Sequence, residues 1–159
     1  MKMKVFISHK QEDSYISSQI LYKLKQAGAD AYLDLLEGDI LLKGEKLTEH
    51  IKSRLNECTD LMAVVSGITQ ISWWVPFEIG MAAQRDFPIV SYVKDGINLP
   101  DYLTYWPKLK SLSDIDKYVK AKNSVEQEIL LENSLGKSWA FASKGTSTER
   151  FYKQLKSVL

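Results

Sequence analysis

A chain of 159 residues is enough for about one domain with a substantial core. Hydrophobic residues make up 45% and charged residues 26%, which is ordinary for a soluble globular protein. The formal net charge is +1 and no long basic or acidic run occurs, so non-specific nucleic-acid binding has no electrostatic basis.

Lys4-Val5-Phe6-Ile7-Ser8 is a short apolar run of strand type. After the polar stretch from His9 to Asp13, either Asp13 or Ser14 can cap a helix whose apolar stripe is Ile16, Ile20 and Leu24. Gly28 suits the position just past its end. Ala29 to Leu33 reads as the second strand. The segment from Asp34 to Gly44 reads as a long loop, unusually apolar at Leu35-Leu36 and Ile40-Leu41-Leu42. Those leucines pack on the body of the domain or form a lid or contact surface. Leu47, Ile51 and Leu55 mark the next helix, with Cys58 continuing the stripe, and Leu61 to Val65 is the third strand.

The stretch from Ser72 to Arg85 then reads as a helix, with Ser72 as N-cap and Pro76 near the first turn. Trp74 and Glu78 are four apart and share a face. A lone Glu on a Trp-lined face is either a functional carboxylate or a solvated helix residue. Ile89 to Val93 is the fourth strand. Further on, Leu109 and Leu112 suit a short fifth strand. Asp114–Lys122 and Ser124–Leu135 read as two helices, with Gly136 closing the second, and Thr146-Ser147-Thr148-Glu149 is a capping box for a last helix. One domain over 1–159 is expected, with its core about 1–95 and a less regular helical part from 96.

Alternating strands and helices, with strands that are continuous apolar runs, predict an α/β fold with a doubly wound parallel sheet. Ligands of such sheets bind beyond the carboxyl ends of the strands. That edge gathers His9 and Lys10 after the first strand, Asp34 after the second, Ser66 after the third, and Glu78 near the start of the following helix. His9 is equally a hydrogen-bonded loop histidine or a ligand contact. Neither GxGxxG nor GxxxxGK[ST] occurs, and no GxSxG elbow is present. With only His9, His50 and Cys58, and no HExxH or CxxC, a metal site is not expected. The single cysteine cannot form an intrachain disulfide, which suits a reducing cytoplasm. The apolar runs fall far below the ~20 residues of a membrane span, and the N-terminal residues enter a strand without a signal-peptide core, so no membrane association is expected.

One carboxylate in an aromatic setting suits cleavage of a glycosidic bond, because it stabilises an oxocarbenium-like transition state. Most glycosidases need a second carboxyl group as acid. In NAD the nicotinamide is already cationic and departs neutral, so the chemistry is feasible with one Glu and groups that hold the dinucleotide.

Val5-Phe6-Ile7-Ser8-His9-Lys10 with Glu12-Asp13 resembles the first motif of Toll/interleukin-1 receptor (TIR) domains. Ala31-Tyr32-Leu33-Asp34 with its loop and Gly44 resembles the family's second strand, and Leu61 to Ser66 its third. Ser72-Trp73-Trp74-Val75-Pro76-Phe77-Glu78 resembles the pattern that marks NAD-consuming members. The register holds over about residues 3 to 93. The resemblance implies a flavodoxin-like fold with added C-terminal helices and NAD glycohydrolase or ADP-ribosyl cyclase activity, with NAD as substrate and no further cofactor. By position it implies Glu78 as the catalytic group and His9, Lys10, Asp34, Leu47 and Trp74 around the substrate. Leu47 stands where some members carry Phe. The compact form is similar to bacterial antiphage members of Thoeris type, which send an ADP-ribose-derived signal to a separate effector. It also implies self-association through the loop 34–44. A non-catalytic adaptor and a nucleoside deoxyribosyltransferase-like enzyme are the alternatives, and the product is left open.

Overall fold

The computed structural model describes residues 2–33, 44–69, 74–136 and 145–159. Five parallel strands form one sheet: β1 (Lys4–Ser8), β2 (Asp30–Leu33), β3 (Asp60–Val65), β4 (Ile89–Val93) and β5 (Lys108–Leu109). Their order is β2-β1-β3-β4-β5. The chain starts in the middle, adds β2 on one side, and then crosses to lay β3 on the other side of β1. Val5 pairs with Ala31 on one flank and with Asp60 on the other. The crevice between the carboxyl ends of β1 and β3 is thus the topological switch point, where doubly wound sheets bind ligands. The doubly wound parallel α/β fold is as expected.

Side-chain alternation divides each strand between two layers. Val5 and Ile7 of β1, Met62 and Val64 of β3, and Val90 and Tyr92 of β4 face one core. That core is closed by α1 (Ser14–Gln26), α4 (Leu112–Ser134) and α5 (Ser147–Val158), through Ile20, Leu24, Ile115, Tyr118, Val125, Phe151 and Leu155. Phe6, Leu61, Ala63, Val65 and Ile89 face the other core, closed by α2 (Glu45–Asn56) and α3 (Trp74–Ala83) through Ile51, Leu55, Val75, Ile79 and Ala82. The strands carry apolar residues on both faces because both faces are covered.

Helix ends follow their local chemistry. Gly28 has φ +90° beyond α1, a conformation natural to glycine. At α5 the Thr146 hydroxyl accepts from the Glu149 N–H at 3.2 Å, and the Glu149 carboxylate accepts from the Thr146 N–H at 2.9 Å. The capping box is therefore formed as expected.

Three expectations are corrected. Asp114–Lys122 and Ser124–Leu135 are one helix, α4, because neither Gly nor Pro interrupts them and the buried stripe runs on through Ala121 and Val125. Leu112 opens that helix rather than belonging to β5, because the Asp114 carboxylate accepts from the Ser111 N–H at 3.2 Å and turns the chain there. Asp13 stands at the N-cap of α1 but makes no side-chain cap bond, since its carboxylate serves the sheet edge instead. The expected N-cap Ser72 and the loop segment 34–43 lie outside the described residues.

Candidate functional site

Strand parity decides which side chain of β1 reaches α3. Phe6 belongs to the α2/α3 core, so Ser8, two residues on, points to the same layer. There its hydroxyl donates to Oε2 of Glu78. Glu78 lies in the second turn of α3, among Val75, Ile79 and Ala82, which are packed into the core. Ser8 and Glu78 are both 0% exposed. The solvated-helix reading of Glu78 is therefore excluded. A carboxylate taken out of water needs hydrogen-bond donors to offset lost hydration, and Ser8 supplies one.

A second buried carboxylate bridges the same switch point. Asp13 follows β1 and is 3% exposed. Its Oδ2 accepts from the Ser66 hydroxyl at 2.6 Å, and its Oδ1 lies 3.7 Å from the Lys94 ammonium. Ser66 is held in turn by a tight turn after β3, in which its N–H donates to Thr69 Oγ1 at 2.9 Å. Lys94 directly follows β4 and is half exposed. One network thus ties the carboxyl ends of β1, β3 and β4 together. Within it the Asp13 carboxylate faces the Lys94 ammonium.

The other expected residues fall as follows. His9 is buried at the same edge, its Nδ1 3.4 Å from the Ile7 carbonyl oxygen. Lys10 comes next, half-buried, ahead of a short 3₁₀ turn at Gln11–Asp13. Leu47, in the first turn of α2, is half-buried and packs against the α2/α3 core. Trp74 opens α3, and its side chain is not described. Asp34 lies outside the described residues. Ser66 stands at the edge as expected.

Three participants escaped the reading of the sequence: Ser8 as a partner of Glu78, Asp13 as a partner of Ser66, and Lys94 beside Asp13. The available signal was parity, a hydroxyl two residues after Phe6 where a buried strand otherwise carries Val or Ile. A mainly apolar cleft of about 390 Å³ lies beside α3, lined by Val65, Thr69, Val75, Ile79, Leu99 and Leu103. Glu78 is not on its wall, so burial, not this cleft, marks the carboxylate. Among the described residues no three His, Cys, Asp or Glu side chains gather as a metal site, and no helix is long and apolar enough to cross a membrane.

The TIR domain family model matches residues 5–128. No curated protein matches at the sequence level. Among solved structures, the 2-deoxyribosyltransferase of Bacillus psychrosaccharolyticus aligns with a TM-score of 0.56 at 13% identity, covering 71% of this chain and 90% of that one. The TIR domains of the activated Roq1 resistosome, which recognises the pathogen effector XopQ, align with a TM-score of 0.48 at 14% identity, covering 99% and 100%.

Proposed function

This chain belongs to the TIR domain family, and from that premise we propose that it cleaves NAD at the nicotinamide glycosidic bond. The observation that carries the reading is Glu78: a carboxylate without solvent exposure, held by Ser8 where β1 and β3 part. A buried anion at that edge suits a reaction whose transition state gains positive charge on the sugar, because the low-dielectric surroundings strengthen the attraction. The C–N bond breaks with its electron pair passing to the nicotinamide, which leaves neutral. A nucleophile then bonds to the anomeric carbon and loses a proton. No general acid is needed. Water gives ADP-ribose, a nitrogen of the same substrate gives a cyclic product, and another base gives exchange.

In this form Glu78 has no exposed surface, so catalysis proceeds from an opened form in which the dinucleotide reaches it. We assign His9, Lys10, Asp34, Leu47 and Trp74 to the substrate's surroundings, and the product to a signal for a separate effector, in the manner of Thoeris-type defence in the bacterial cytoplasm. We further assign self-association to the loop 34–44. Leu41→Glu is expected to lower both the sedimentation coefficient of the assembled protein and its activity, with an unchanged melting curve. A variant that sediments and turns over like wild type removes the loop from assembly.

The test of the main reading is chromatography of NAD incubated with concentrated wild-type and Glu78→Gln protein, with mass identification of products. Glu78→Gln keeps the volume and removes the charge, so turnover is expected to fall by about 10²-fold or more with the fold intact. Equal turnover in both excludes Glu78. If NAD stays intact, with and without lysate of phage-infected cells, the chain is an interaction module, unless a nucleoside panel shows deoxyribosyl transfer.

A further inference from the structure

We propose that Ser8 is a positioning residue for Glu78, holding the carboxylate in one orientation through turnover. The inference rests on the role given to Glu78 above. It starts from how the two backbones are held. Ser8 ends β1 at the centre of the sheet, in register with Ala63 of β3. Glu78 is bracketed along α3 by Val75, Ile79 and Ala82, which are 0%, 3% and 0% exposed. Neither segment moves without breaking the core. Admission of substrate therefore uncovers Glu78 rather than carrying it away from Ser8.

A Glu side chain has three rotatable bonds, and fixing them requires a directed contact. Val75, Ile79 and Ala82 are aliphatic, so their side chains fill space without offering a donor. The Ser8 hydroxyl does offer one, at a depth where hydrogen bonds to charge are strong. Asp13, the other buried carboxylate described at this edge, is engaged by the Ser66 hydroxyl and the Lys94 ammonium. A carboxylate free to rotate would present its charge to the developing cation only part of the time.

Ser8→Ala is expected to lower kcat by roughly 10- to 100-fold, the scale of a misplaced catalytic group, with KM changed less than about twofold. Ser8→Thr, which keeps a hydroxyl, is expected to recover part of the loss. In a Glu78→Gln background, Ser8→Ala is expected to cost nothing further, since residues acting as a unit are not additive. A structural readout runs alongside: in protein labelled with carboxyl-¹³C glutamate, the Glu78 resonance, identified by its loss in Glu78→Gln, is expected to move in Ser8→Ala while the other glutamates stay. Full kcat in Ser8→Ala, a loss appearing only in KM, or an additive double variant overturns the proposal. An unmoved resonance overturns it as well. If wild type leaves NAD intact, the functional reading fails and takes the kinetic role of Ser8 with it, and the resonance shows whether the pair itself also failed.

Discussion

Two buried acidic side chains of the α2/α3 layer illustrate how burial acts on a single residue. Glu78 is fully buried and accepts a hydrogen bond from the Ser8 hydroxyl. Cys58 is 3% exposed, and burial pushes its thiol up to about 11, with the nearby Lys4 ammonium offsetting a smaller part. The nucleophile in cysteine chemistry is the thiolate, and at pH 8 very little of it exists here. Iodoacetamide is expected to label Cys58 slowly in the native protein at pH 8 and at the ordinary rate in urea, as counted by mass. Equal rates in both conditions would show that the thiol is neither shielded nor perturbed. Cys58 thus has the character of a core residue, and the sole cysteine gives no ground for covalent catalysis.

At the scale of elements, α4 shows how one turn of chain sets a helix's direction. Asp114 lies in its first turn and accepts from the N–H groups of Lys110 at 3.0 Å and Ser111 at 3.2 Å, with the Lys117 ammonium at 2.9 Å. Burial works to raise its pKa, but these donors together outweigh it and hold the carboxyl below its ordinary 3.8. A lowered folded value means that the charged form stabilises the native state above the ordinary value, and that the gain is lost as pH falls through the lowered one. Asp114→Asn is expected to cost about 1–2 kcal/mol at pH 7, with the gap to wild type closing on acidification below about pH 4. Melting curves across that range decide it, and a gap that persists in acid would assign the loss to packing. At its other end α4 is tied to α5, where the Arg150 guanidinium donates to Glu128 at 2.8 Å and to Glu132 at 3.0 Å. With these ties α4 and α5 are part of the sheet's cover.

The molecule as a whole places its polar groups at the two poles of the sheet. The carboxyl pole carries Ser8, Asp13, Ser66, Glu78 and Lys94. At the opposite pole Asp60 opens β3, is 0% exposed, and accepts from Lys122 Nζ at 2.9 Å and from the Tyr118 hydroxyl at 3.2 Å. Burial and the Asp60 charge together push the Tyr118 phenol well above its ordinary value, so it remains a donor. Lys122→Met leaves the Asp60 charge buried without its cation and is expected to destabilise the fold by about 3–5 kcal/mol. Adding Asp60→Asn is expected to return part of that loss. Urea midpoints of the single and double variants test this, and an additive pair would show that the two groups act independently. This pole clamps α4 to the sheet.

The layers were legible in the sequence because they are local properties. Apolar strand runs announce a sheet covered on both faces, stripes such as Ile20 and Leu24 announce helices, and Gly28 and the Thr146–Glu149 box announce helix ends. Glu78 and Ser66 could be placed at one edge by the rule for doubly wound sheets alone. The tertiary structure decided which groups meet. Ser8 and Glu78 are 70 residues apart, Asp13 and Ser66 are 53 apart, and Asp60 and Lys122 are 62 apart. Each pairing depends on β3 lying beside β1 and on which helix covers which face. Local periodicity states that a strand is buried, but not which strand it adjoins. The choice of neighbour is made by the packing of the whole core, and with it the surroundings of Glu78.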